Sequence, residues 1–189
     1  MSNLAHEAEH RTKNILATVQ AAVRLSHSNS SDDLKRLIEG RINALAKVHT
    51  LFVESRWTGV QLHSLVTQEL LPYRDGREER VRIDGPTVML EPNTAQAIAI
   101  SLHELATNAA KYGSLSAADG DVEIAWSRTA GGQLSLRWIE SGGPTIAPPT
   151  HRGCGTRIIE NIVGGQLGAK VRFDWSAPGL TCEIALPLP

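Results

Sequence analysis

Long apolar runs are missing from this chain: nothing approaches the roughly 20 residues that a membrane-spanning helix needs. The start, Met1-Ser-Asn-Leu-Ala-His-Glu, has no basic region followed by an apolar one, so no secretory leader is expected. On both counts the chain reads as cytoplasmic. An excess of charge is missing as well. Nineteen Lys and Arg against 20 Asp and Glu leave a formal net charge of −1. No Lys/Arg cluster of the kind that tracks a phosphate backbone occurs, which disfavours nucleic acid as a partner. Cysteine is scarce. Cys154 and Cys182 have neither metal-ligand nor redox spacing and read as small packed hydrophobes. Proline is absent from residues 1 to 55 and glycine occurs there once, which leaves a sustained helical pattern. What remains is 189 residues, 41% hydrophobic and 21% charged, enough for one domain or two small ones around a real core.

The pattern changes abruptly at Trp57-Thr-Gly, which divides the chain into a helical part over 1–56 and an α/β part over 59–189. At about 100° per residue, Leu4, Ala8, Ile15, Val19, Ala22 and Val23 share one helical arc, with His10 on the opposite side. Short polar side chains from Ser26 to Ser31 break that helix, and Ser31 is placed to cap the next. The second helix is expected from Asp32 to about Ser55, with Leu34, Leu37, Ile38, Leu45, Val48 and Phe52 as its stripe. The two make an antiparallel hairpin. Alone they bury too little, so either a second copy completes a four-helix bundle or the C-terminal part covers the exposed remainder.

The rest reads as mixed α/β. Leu62 to Leu71 suits a helix, Val81 to Asp84 and Val88 to Leu90 short strands, and Thr94 to Tyr112 a long helix capped by Asn93. Val122 to Trp126 and Leu134 to Ile139 alternate with period two around the turn signal Gly131-Gly132, the mark of a hairpin. A helix from about Thr156 to Val163 precedes strands around Val171 to Trp175 and Cys182 to Leu186. The fold class is α+β, with helices segregated against a largely antiparallel sheet.

Four segments carry chemistry. In His103-Glu-Leu-Ala-Thr-Asn-Ala-Ala-Lys-Tyr-Gly113, helical spacing puts Glu104, Asn108 and Lys111 on one polar edge and Ile98, Leu102, Leu105 and Ala109 on an apolar one. A carboxylate, an amide oxygen and an ammonium within mutual reach suit a magnesium nucleotide, although a solvated helix face shows the same pattern. Trp138-Ile-Glu-Ser-Gly-Gly-Pro ends a strand in a sharp turn. Glu140 is expected there at a pocket mouth, suited to an adenine amino group, or simply solvated. Gly153-Cys-Gly-Thr opens a helix whose backbone N–H groups can approach phosphate, a weak signal alone. Thr145 to Arg152, with Pro148, Pro149 and His151, suits a lid or a surface loop. Finally, His10 lies on a polar helix face one turn from Asn14. It is either solvated surface or a nucleophilic imidazole beside an amide able to orient a water.

The order of these motifs, His10 to Asn14, His103 to Gly113, Trp138 to Pro144, then Gly153 to Thr156, resembles the HWE family of sensor histidine kinases. Its name letters correspond to His103, Trp138 and Glu140. The resemblance covers nearly the whole chain. It implies a dimerisation and histidine-phosphotransfer hairpin followed by a Bergerat-type α/β sandwich that binds ATP with Mg²⁺, and a response-regulator receiver domain as partner. By the same resemblance His10 is the phosphoacceptor, Asn108 a magnesium ligand, and Glu104 the group that assists the metal or its water. Lys111 and Tyr112 face the nucleotide, Glu140 reads adenine on a turn supported by Gly142, and Gly153, Gly155 and Thr156 form the lid's glycine motif. Two features depart from other histidine kinases. Arg11 follows the acceptor where an acidic group is common, so Glu7 and Glu9 are candidate bases by proximity only. The lid is short and lacks a Phe-rich motif. Arg11 and Asn14 are candidates for positioning or phosphatase chemistry.

Two alternatives stand beside this reading: a non-catalytic phosphotransfer protein, and a serine kinase or ATPase of the same superfamily acting on a separate protein.

Overall fold

The computed structural model describes residues 13, 15–74, 80–145, 153–175 and 179–188. Helix α1 covers 15–24 and α2 Ser31–Glu54. A two-residue strand β1 (Val60–Gln61) leads into α3 (Leu62–Leu70), followed by a 3₁₀ turn, β2 (Val81–Asp84) and β3 (Met89–Leu90). The central helix α4 runs Pro92–Lys111, and the long hairpin β4 (Asp121–Arg128) and β5 (Gln133–Ser141) follows. Helix α5 (Cys154–Ile159) continues as a π-helical stretch over Glu160–Gln166, and β6 (Lys170–Asp174) and β7 (Thr181–Pro187) close the chain.

Five strands form one sheet in the order β2-β4-β5-β7-β6, antiparallel except for the parallel β2–β4 pair. Period-two alternation does the sorting. Val122, Ile124 and Trp126 of β4, Leu134, Leu136 and Trp138 of β5, and Cys182, Ile184 and Leu186 of β7 are buried on one face. The other face carries the ion pairs Arg82–Glu123 (3.5 Å) and Arg137–Glu183 (3.1 Å), both solvent-facing. Burial pushes the Cys182 thiol up to about 12, so it stays protonated at neutral pH and packs as a hydrophobe.

Helix α4 is buried almost all round because it has neighbours on both sides. Its small residues, Ala95, Ala97, Ala99, Ala106 and Ala109, allow close approach, and alanine is also the best helix former. Pro92 starts it at a position where a missing N–H costs nothing. Ala44, Leu45, Val48 and Phe52 of α2 are buried, and the last three join the same apolar cluster as α4 and the sheet. The C-terminal part thus covers the α2 stripe from Leu45 to Phe52, while Leu34, Leu37 and Ile38 are half-buried.

Local details differ from the sequence reading. The cap of α2 is Ser30, whose hydroxyl accepts from Asp33 N–H (3.4 Å), and Ser31 is the first helical residue. Helix α4 starts at Pro92 after Glu91 and makes no side-chain cap bond, so Asn93 lies inside the helix. Val23 is 41% exposed although it lies on the apolar arc. Among the described residues, no helix is long and apolar enough to cross a membrane.

Candidate functional site

The site is built around the C-terminal half of α4. Glu104 is buried and pairs with Arg41 of α2 through both oxygens: Nε donates to Oε1 at 2.7 Å and Nη2 to Oε2 at 3.0 Å. Arg41 is fully buried, and its Nη1 also donates to the Ala22 carbonyl (3.3 Å) and to the Ser26 hydroxyl. One guanidinium thus ties the end of α1, α2 and α4 together. A bidentate Arg–carboxylate fork is the geometry in which a buried pair best offsets its desolvation.

Beside it, Glu69 of α3 is 2% exposed, with Lys47 Nζ at 3.6 Å and His103 Nδ1 at 3.9 Å. Burial raises the Glu69 pKa, partly offset by Lys47. Burial also lowers that of His103, with Lys47, Arg41 and Lys111 acting in the same direction and Glu104 against it. The His103 ring lies over Gly40 of α2, where an added Cβ would come within 2.6 Å of Nε2. Glycine is therefore what lets α2 and α4 approach here.

A pH prediction follows from Glu69. A carboxyl whose folded pKa is raised contributes stability that is fully present below its unfolded value, 4.5, and is lost as pH rises through the folded value. Glu69→Gln does not titrate. Its melting temperature should match wild type near pH 4 and exceed it increasingly towards pH 8, because Lys47 is left half-exposed and readily solvated. His103, with its lowered value, loses stability in the opposite direction, as pH falls below 6.5, in both proteins. Thermal melts across this range with a constant difference would refute the raised Glu69 value.

Glu140 is 2% exposed and lies inside the fold rather than at a pocket mouth. Its Oε1 accepts from Trp138 Nε1–H (3.0 Å) and its Oε2 from Ser114 N–H (2.9 Å). Burial raises its pKa against the pull of these two donors. Gly113 has no side chain for a reason of space: a Cβ there would overlap Glu140 Oε2. Gly142, at φ +69°, makes the turn after β5 against the Asp119 carbonyl, where a Cβ would also clash. Arg80 clasps the segment after α4, donating from Nε to the Gly120 carbonyl (3.0 Å) and from Nη2 to those of Ala117 (2.7 Å) and Leu115 (3.3 Å).

The second glycine motif reaches the same place. A Cβ on Gly155 would lie 2.9 Å from Glu104 Oε2 and 3.0 Å from Asn108 Nδ2, so the backbone of α5 runs directly against both side chains. Lys111 and Tyr112 are exposed at the end of α4, with Tyr112 71% accessible. Thr156 is half-buried in α5, and Gly153 precedes that helix as its cap residue. His10, Arg11, Asn14, Glu7, Glu9 and lid positions 146–152 lie outside the described residues. Among the described residues no three His, Cys, Asp or Glu side chains converge on a metal-sized point. An amide, one carboxylate and exposed ammonium chemistry suit a hydrated Mg²⁺ brought in with phosphate oxygens rather than an all-protein metal cage.

Sequence reasoning missed Arg41, Gly40, Lys47 and Glu69. Arg41 was detectable, because positions 34, 38, 41, 45, 48 and 52 are spaced four and three along α2, and an arginine in that stripe has to find a buried counter-charge.

The sequence profile of the HWE histidine kinase family matches residues 7–87. A blue-light-activated histidine kinase of Rhizobium johnstonii is 37% identical over 185 residues, covering 97% of this chain and 53% of that protein. Blue-light-activated histidine kinase 1 of Erythrobacter litoralis is 38% identical over 192 residues, covering 98% of this chain and 53% of that protein. The chain spans about half the length of these relatives. Among solved structures, a blue-light activated histidine kinase of Erythrobacter litoralis superposes with a TM-score of 0.77 at 22% identity, covering 100% of this chain and 61% of that one. A histidine kinase domain from that source gives 0.66 at 18% identity, covering 95% and 94%. At these identities the superpositions speak for the fold, an α/β sandwich with a helical N-terminal part.

Proposed function

Because the chain belongs to the HWE family of histidine kinases, we propose that it is the catalytic part of a two-component kinase, in which His10 accepts the γ-phosphoryl group of magnesium-ATP and passes it to an aspartate of a response-regulator receiver domain. Residues 1–56 serve as dimerisation and phosphotransfer hairpin and 59–189 as ATP-binding domain. The observation that carries this reading is the meeting of Glu104, Asn108 and Gly155 at one point, where a side chain on residue 155 would fill the space between carboxylate, amide and backbone.

Asn108 is the metal ligand and Glu104 assists it or its water, while Lys111, Tyr112, Gly153 and Thr156 bound the nucleotide. Bound magnesium nucleotide supplies the phosphoryl group and, through the metal, charge neutralisation. In the transfer the bond from the γ-phosphorus to its bridging oxygen breaks, a nitrogen–phosphorus bond to His10 forms, ADP leaves, and the imidazole proton passes to a carboxylate, with Glu7 and Glu9 as candidates. Such transfer asks the protein mainly for positioning and charge. Glu140 fits this scheme through the turn it holds: it fixes Gly113 and Ser114 at the end of the helix that carries Asn108.

Incubation with Mg²⁺ and γ-labelled ATP should leave acid-labile, base-stable phosphate on the chain. Asn108→Ala should lose both the label and magnesium-dependent nucleotide binding by calorimetry. Label on a separate protein only would favour the serine kinase or ATPase. Absence of nucleotide binding would favour the non-catalytic phosphotransfer protein.

A further inference from the structure

We propose that the helical hairpin is a latch on the nucleotide site: Arg41 holds Glu104 in a closed ion pair that competes with magnesium-nucleotide binding, and the site is completed when the N-terminal half of α2, through Gly40 and Arg41, moves away from α4. This rests on the reading that Glu104 belongs to that site.

Both oxygens of Glu104 are taken by one guanidinium, itself fully buried and anchored on Ala22 and Ser26. A carboxylate so neutralised offers little to a hydrated cation, which is drawn by uncompensated negative charge. Docking of the hairpin and use of Glu104 by a metal are therefore alternatives. The two halves of α2 are held differently. In its C-terminal half the buried contacts are mostly apolar, with Leu45, Val48 and Phe52 in the core and Phe52 stacked on Trp57 at 5.6 Å, beside one ion pair from Lys47 to Glu69 (3.6 Å). Arg56 and Trp57 there adopt φ of 50° and 63°, a left-handed conformation uncommon without glycine, which fixes the direction of the chain between hairpin and sheet. Near its middle, α2 is held by Arg41 on Glu104 and by Gly40 under His103, and before them Leu34, Leu37 and Ile38 are only half-buried. The Arg41 pair is the latch and the mostly apolar C-terminal half of α2 the pivot.

By linkage, whatever opens the latch tightens nucleotide binding, and nucleotide opens the latch. The full chain is titrated by calorimetry with Mg²⁺ and a non-hydrolysable ATP analogue, as wild type, Arg41→Met and Gly40→Leu. The second variant wedges α2 from His103 without touching the ion pair. Each variant should lower the Kd by about fivefold or more. In wild type, amide hydrogen exchange over 31–41 should rise on adding the magnesium analogue while 45–52 stays protected. Equal or weaker binding by both folded variants overturns the latch and leaves the kinase reading intact. No binding by any form overturns the kinase reading and the latch with it. Should both variants misfold, the wild-type exchange decides alone, and unchanged exchange over 31–41 on saturation with the analogue overturns the proposal.

Discussion

Replacing His10 by alanine is expected to lower acid-labile phosphate incorporation by more than about a thousandfold, the scale seen when a nucleophile is removed, with nucleotide affinity unchanged. The sequence has seven histidines, so six remain in this variant. Three of them have structural neighbours that account for them. His103 is packed between Gly40 and Glu69, His49 stands edge-on to Trp57 at 5.4 Å, and His63 meets Trp126 at 6.1 Å. Labelling with γ-labelled ATP beside calorimetry on the same preparation makes the comparison. Label that survives in His10→Ala sinks the acceptor assignment while leaving the nucleotide site standing.

The largest expected effect on stability is at Trp138. Its side chain is fully buried, and truncation to alanine costs about 3–5 kcal/mol for lost transfer and cavity. The same change removes the Nε1 donor from Glu140, leaving a buried carboxylate short of a partner at a further cost of about 1–3 kcal/mol. Against a total of about 5–15 kcal/mol for a native domain, Trp138→Ala should be largely unfolded or close to it at physiological temperature. Trp138→Phe keeps most of the apolar volume and isolates the hydrogen bond. Its deficit in chemical denaturation should shrink as pH falls through the raised value of Glu140, since protonation removes the buried charge that the indole N–H serves. A phenylalanine variant as stable as wild type at neutral pH would show that the Trp138–Glu140 bond contributes nothing.

Much of this was legible in the chain, and the reasons are specific. The alternation in β4, β5 and β7 is strict, so strands and faces followed from period two, and the parity of Leu134, Leu136 and Trp138 extends to Glu140. That parity points inward, yet an acidic residue before Gly-Gly-Pro suggests a solvent-facing turn. The two donors that make its burial tolerable come from Trp138 and from a backbone N–H 26 residues earlier in the chain, which no local pattern records. Glu104 shows the same limit. Its place on α4 was readable from spacing, whereas its partner Arg41 is 63 residues away and is brought to it only by tertiary packing. The convergence of Gly155 on Asn108 and Glu104 was suggested by motif order, not by distance along the chain. Caps were the least readable feature, because a run of serines offers several hydroxyls and only backbone geometry selects Ser30.

The borders of the five-stranded sheet limit how copies of this chain can meet. At one border β2 is four residues long, carries Arg82 and Asp84, and is followed by Gly85 and Pro86, which cannot extend a ladder. At the other, β6 alternates Lys170, Arg172 and Asp174 with apolar residues. Short, charged margins of this kind resist recruitment of a further strand. Extension of this sheet by a strand from another copy, and the fibrous aggregation that begins the same way, is thereby discouraged.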